Sequence, residues 1–297
     1  MRRQTASILI FMMLSSMIVS SCGPLPADEK ALPSYQTSTP ALLTNRPSLI
    51  STSSTFVIYS QKTEGTYRIY IQLPRVYNQD HYQSYPVLFL LDGDWYFDGT
   101  SPRISGTGVK GMVSELVDSG KIPPCILVGI GYVGENRRYE FTWNYNLFHQ
   151  FLVEELVPKI DTNFRTNTSA GRTLIGHSDG AYFSLYTLFV SEAENWPFHN
   201  FIVVSGDYTK NGRHIFNEEN HFNERIGTQN NLNINLFMAV GGDEEGRFVD
   251  SNKELATVIS SREYKGFRFT SHTKPGYNHS SILLPTLKEG LQWVFEE

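Results

Sequence analysis

Thr173-Leu174-Ile175-Gly176-His177-Ser178-Asp179-Gly180-Ala181-Tyr182-Phe183-Ser184-Leu185 passes from a short apolar strand, through a turn flanked by two glycines, into a helical run that extends to Val190. The G-x-S-x-G pattern alone is weak evidence, because glycine and serine are both common residues. Its setting gives it meaning: glycines allow a strand-to-helix turn tight enough to lift a serine hydroxyl above the end of a sheet. The plainer reading makes Ser178 a helix cap. The strand before it and the helix after it favour Ser178 as a nucleophile.

Outward from this turn, short apolar runs alternate with helical patterns. Val87–Leu91, Ile126–Ile130, Phe201–Val204 and Leu236–Val240 are continuously apolar, as strands covered on both faces are. Thr55–Tyr59 and Tyr67–Leu73 precede them, and the alternation of Tyr67, Ile69 and Ile71 predicts a half-buried antiparallel hairpin. Phe148, Leu152, Leu156 and Ile160 recur at helical spacing, with Pro158 expected to end that helix early. Val249–Ser261 and Ile282–Phe295 predict two further helices. The order implies an α/β fold with a mostly parallel central sheet, helices on both faces and an antiparallel N-terminal hairpin. Chemistry in such a sheet belongs at the carboxyl ends of the strands.

Composition narrows the function. The 297 residues carry a formal charge of −5, which offers no bulk attraction to a phosphate backbone, so nucleic acid is not an expected partner. Arg2 and Arg3 followed by the uncharged run Ala6–Val19 read as a leader, too short for a comfortable membrane span. Val19-Ser20-Ser21-Cys22 looks like a bacterial lipoprotein cleavage box, so residues 1–21 are expected to be a signal peptide and Cys22 the lipid-bearing first residue. The stretch 22–50, rich in Pro, Ser and Thr, reads as a tether, and 51–297 as the folded domain. The expectation is an exported protein held at a membrane of the cell envelope. Cys125 lies in an apolar run and reads as a buried small hydrophobe.

A serine hydroxyl needs a base to take its proton, and chain order on this architecture is serine, acid, histidine. His279, in Pro275-Gly276-Tyr277-Asn278-His279 before the last helix, suits the base. His272 competes from a strand-like run, and His177, inside the turn, reads as packed. The acid is expected after Leu236–Val240, in Gly241-Gly242-Asp243-Glu244-Glu245, with Glu244 preferred over Asp243 and Glu245 and with Asp207 an outside choice. Two backbone N–H groups are needed for a developing oxyanion. Asp179 offers one, and the turn Leu91-Asp92-Gly93-Asp94 after an earlier strand is placed to offer another.

Over residues 52–297 the chain resembles the esterase D-type branch of the α/β-hydrolases, which includes siderophore esterases, S-formylglutathione hydrolases and feruloyl or acetyl-xylan esterases. The resemblance rests on Tyr85–Gly93, Ile126–Ile130, Glu154–Pro158, the turn around Ser178, Gly276–Ser280 and Leu284-Pro285. It implies Ser178 as nucleophile, His279 as base, Glu244 as acid and the amides of Asp94 and Asp179 as oxyanion donors. It also implies that Asp92 and Arg138, the latter in Asn136–Thr142, lie on the substrate side. One departure is chemical: relatives commonly carry an apolar residue where this chain has Asp179, and a carboxylate there opposes the oxyanion unless it is paired or turned away.

The expected activity is hydrolysis of a carboxylic ester through an acyl-enzyme, without cofactor or metal, on a siderophore trilactone or an acylated polysaccharide. Two alternatives accompany it: acyl transfer to an acceptor alcohol on the same fold, and a lipoprotein that binds a ligand without turnover. Gly106-Thr107-Gly108-Val109-Lys110-Gly111 fits a dinucleotide fingerprint in spelling only, since no strand precedes it.

Overall fold

The structure is a computed structural model that describes residues 53–296 except 105, 135–136, 193–195 and 227–230; the leader, the tether and Cys22 lie outside the described residues. Eight strands form one sheet: β1 (Ser53–Tyr59), β2 (Thr66–Gln72), β3 (Val87–Leu91), β4 (Ile126–Tyr132), β5 (Thr173–His177), β6 (Asn200–Val204), β7 (Ile234–Gly241) and β8 (Phe267–Lys274), in the order β1-β2-β4-β3-β5-β6-β7-β8. β1 and β2 are antiparallel to each other, β2 is antiparallel to β4, and β4 to β8 are parallel. This is the α/β-hydrolase arrangement expected from the sequence.

The apolar runs are continuous because both faces of the sheet are covered. Leu88, Leu90, Leu127, Ile175, Ile202 and Phe237 pack on one face, under α2 (Gly108–Asp118) and α9 (Leu283–Phe295). Phe89, Leu91, Val128, Leu174, Val203 and Met238 pack on the other, with α6 (Asp179–Val190) and the helices Tyr145–Asn163. Successive residues of a strand point to opposite faces, so one unbroken apolar segment feeds both layers. Cys125 is buried, and burial pushes its thiol up to about 12, so it is inert packing.

Pro158 does not end its helix. α4 (Tyr145–Gln150) runs through a wide π-helical turn (Phe151–Leu156) into α5 (Val157–Asn163). The Val157 N–H reaches back five residues to the Leu152 carbonyl. That widened register relieves the clash a proline ring makes with the carbonyl four residues before it, and Pro158 sits in the first turn of α5, where its missing N–H is harmless. Phe148, Leu152, Leu156 and Ile160 are all fully buried along this stretch. The remaining helices are α1 (Gly93–Tyr96), α3 (Arg137–Thr142), α7 (Lys210–Ile226) and α8 (Gly246–Ser260).

β3 leads leftward to β4, and the chain then returns to β5 on the other side of β3. The loops leaving β3 and β5 therefore diverge at their carboxyl ends, and a crevice opens between them.

Candidate active site

Ser178 follows β5 at that crevice. Its backbone has φ 59° and ψ −120°, a conformation disfavoured for a residue with a side chain, and it is held because the Ser178 N–H donates to the Val204 carbonyl at 2.9 Å. The Ser178 carbonyl accepts the N–H groups of Ala181 and Tyr182 at 3.0 and 3.1 Å and so starts α6. The Asp179 amide belongs to the first turn, outside the intrahelical ladder.

His279 and Glu244 meet across two loops. His279 Nδ1 lies 2.7 Å from Glu244 Oε2, and the Glu244 side chain is fully buried. Glu244 Oε1 accepts two more hydrogen bonds, from Ser205 Oγ at 2.5 Å and from the Gly241 N–H at 2.7 Å. Three donors on one carboxylate fit its ionised form, which only accepts. Nδ1 therefore carries the ring hydrogen, leaving Nε2 as a lone-pair acceptor able to receive a proton. The loops are laced together by Gly242 N–H to the Lys274 carbonyl at 2.7 Å and Asp243 N–H to the Tyr277 carbonyl at 3.1 Å.

Ser178 and His279 line one cavity of about 320 Å³, with Trp95, Tyr96, Arg103 and Leu283 among its other walls. The Arg103 guanidinium stacks over the Trp95 ring at 3.9 Å. His177, also at the wall, is packed as expected: its Nε2–H donates to the His279 carbonyl at 2.9 Å, and its Nδ1 lies 3.0 Å from the Tyr96 hydroxyl. It thus supports the backbone of His279 from below.

The other acidic residues are engaged elsewhere. Asp243 Oδ1 accepts the Gly276 N–H at 3.2 Å, Glu245 pairs with Arg247 at 3.1 Å, and Asp207 caps the turn at Thr209. His272 lies on β8 beside Thr270 and Glu289. Asp92, expected on the substrate side, is buried at 1% exposure, and its carbonyl accepts the N–H groups of Trp95 and Tyr96 to start α1. The backbone of Arg138 lies in α3, and its side chain is outside the described residues.

The side chain of Asp94 is an anchor. It accepts Arg68 Nη1 at 2.7 Å, the Tyr70 hydroxyl at 2.5 Å and the Tyr132 N–H at 2.5 Å, fixing the start of α1 to β2 and β4. Burial, then the Asp94 carboxylate, hold the Tyr70 phenol above its ordinary range. Asp179 forms an ion pair with Lys210, the first residue of α7. Ser205, Lys210, Trp95 and Arg103 escaped the sequence reading. For Ser205 and Trp95 a signal existed, since both follow strands at their carboxyl ends. Among the described residues, no group of three His, Cys, Asp or Glu side chains could hold a metal ion.

Comparison with known proteins agrees with this fold. Among solved structures, the BES protein from Bacillus cereus superposes with a TM-score of 0.69 at 23% identity, covering 86% of this chain and 100% of that one. An IroE-like serine hydrolase from Shewanella oneidensis gives 0.70 at 22% identity, covering 82% and 80%. The siderophore hydrolase EstA from Aspergillus nidulans gives 0.68 at 17% identity, covering 86% and 97%. At these identities the likeness establishes the fold. No curated protein matches the sequence. Residues 60–281 match the Esterase family, so the chain belongs to that family and is an esterase.

Proposed function

We propose that this esterase works through an acyl-enzyme on Ser178. His279 Nε2 takes the serine proton as Oγ attacks the ester carbonyl. Glu244 holds the ring in the required tautomer and stabilises the imidazolium that forms. The amides of Asp94 and Asp179 receive the oxyanion. The imidazolium returns its proton to the leaving alcohol, and water repeats the sequence to release the acid. The observation that carries this reading is the 2.7 Å His279–Glu244 contact opening onto the same cavity as Ser178.

For the substrate we favour a siderophore lactone with phenolic rings over an acylated polysaccharide. The Trp95–Arg103 stack supplies a flat aromatic face and a positive charge in the cavity that holds Ser178, which suit an electron-rich phenolic ring carried on the substrate beside the scissile lactone. Structural neighbours that are siderophore hydrolases and an enterobactin and salmochelin hydrolase are consistent with that choice.

The test is hydrolysis of a short-chain p-nitrophenyl ester, followed by a panel of catechol-siderophore and feruloyl-sugar esters. Ser178→Ala and His279→Ala should each lower kcat by about 10³-fold or more. Turnover that survives in Ser178→Ala would remove Ser178 from the reaction.

A further inference from the structure

Asp179 places a carboxylate on the very residue whose backbone N–H is assigned to the oxyanion. Its side chain is only 10% exposed, so solvent screens it little. An unopposed negative charge there would raise the barrier to forming a second one. Lys210 meets it: Nζ forms an ion pair with Asp179 Oδ1, and the lysine side chain is 21% exposed. The pair spans from the start of α6, after β5, to the start of α7, after β6. β3, which delivers Asp94, lies on the opposite side of β5. Lys210 therefore tethers the carboxylate on the β6 flank, while the reacting carbonyl belongs between the β3 and β5 loops.

The backbone next to Lys210 supplies an independent observation. Asn211, Gly212 and Arg213 stand in succession in the left-handed region, at φ 51°, 63° and 65°. Such a run is unfavourable for residues with side chains and persists only where surrounding bonds hold it. Asn211 Nδ2 donates to the Thr142 carbonyl at 2.6 Å and to the Tyr182 hydroxyl at 3.3 Å, and Arg213 forks onto Glu254 at 3.0 and 2.6 Å. What this restrained turn delivers is the ammonium group over Asp179.

We propose that Lys210 is a positioning residue for ester hydrolysis: its ammonium holds and neutralises the Asp179 carboxylate, so that a negative tetrahedral oxygen can form at the adjacent amide. The inference rests on the acyl-enzyme reading above. The experiment compares the wild-type chain, Lys210→Met, Lys210→Arg and the double variant Lys210→Met/Asp179→Asn. Two quantities are read in each: kcat and KM on a p-nitrophenyl ester, and the rate at which a fluorophosphonate modifies Ser178. Lys210→Met should lose about 10-fold in kcat with KM little changed, and should be modified more slowly in proportion. Lys210→Arg should retain most of the rate, and the double variant should recover most of what Lys210→Met loses.

A lysine that merely braced α7 would leave the double variant no faster than Lys210→Met, and that result overturns the proposal. So does a Lys210→Met enzyme within about 2-fold of wild type. If Lys210→Met fails to fold, the double variant and Lys210→Arg carry the comparison: a folded double variant far slower than Lys210→Arg overturns it too. A wild-type chain that neither turns over esters nor reacts with the fluorophosphonate overturns the acyl-enzyme reading itself, a result distinct from all of these.

Discussion

Glu244 is where single residues decide most. Its carboxylate is fully buried and meets three donors, His279, Ser205 and the Gly241 amide. A hydrogen bond to a charged group is worth about 1.5–3 kcal/mol, and that energy holds the carboxylate aimed at the ring. Ser205→Ala removes one donor and should lower kcat about 10-fold, well short of the 10³–10⁴-fold loss expected from Glu244→Ala. Asp243→Asn should stay within about 3-fold of wild type, because Asp243 braces the Gly276 amide instead. Steady-state kinetics on the three variants checks this, and a larger loss in Asp243→Asn than in Glu244→Ala would reassign the acid. The run Asp243-Glu244-Glu245 was legible as the place of an acid, but three adjacent carboxylates look alike in sequence. What separates them is the turn that points Glu244 back at Gly241. Ser205 was harder still: a small polar residue after a strand is common, and its left-handed φ of 56° exists only in the fold.

At the scale of elements, the two glycines around Ser178 are not equivalent. A Cβ on Gly176 would lie 2.2 Å from the Gly180 carbonyl oxygen and 2.5 Å from Ser184 Oγ, so the strand could not approach α6. At Gly180 the nearest atoms to an added Cβ, Asp92 Oδ2 and the Leu91 side chain, begin at 3.4 Å, an ordinary contact. Gly176→Ala should therefore destabilise the domain by at least about 2 kcal/mol, whereas Gly180→Ala should change stability by less than about 1 kcal/mol, helped by alanine's better helix propensity. Urea unfolding of the two variants measures the difference; equal losses would mean that the spelling of the motif, not its packing, sets the requirement. The same scale explains what periodicity missed. Pro158 predicted a helix end because a sequence pattern does not reveal a π-helical turn before it. α7 went unread because Gly212 interrupts its first turn and the polar residues along it, among them Asn211, Asn217, Asn220 and Asn223, hide the buried positions Ile215, Phe216, Phe222 and Ile226.

Across the whole molecule, β3 to β7 were legible because strands covered on both faces write themselves as short apolar segments, while β1 and β2 were read as a half-buried hairpin from the alternation in β2, and β8 only as a strand-like run. Which histidine the packing buries is not written that way. His149, on α4 against Thr187 of α6, is drawn inward, and burial pushes its pKa down to about 4. Burial acts in the same direction on His199, and it holds the Glu140 carboxyl above its ordinary range, with the opposite effect on acid stability. For His149 the folded state refuses a proton that the unfolded chain accepts near pH 6.5, so between those values the unfolded chain binds more protons and stability rises with pH. The contribution is complete above about pH 6.5 and is lost as the pH falls toward 4. His149→Gln keeps a polar partner for Thr187 and cannot titrate. Whatever its stability at pH 7, it should gain about 2 kcal/mol on wild type when both are unfolded by urea at pH 5. Parallel losses for wild type and His149→Gln between the two pH values would place the acid sensitivity of the domain elsewhere.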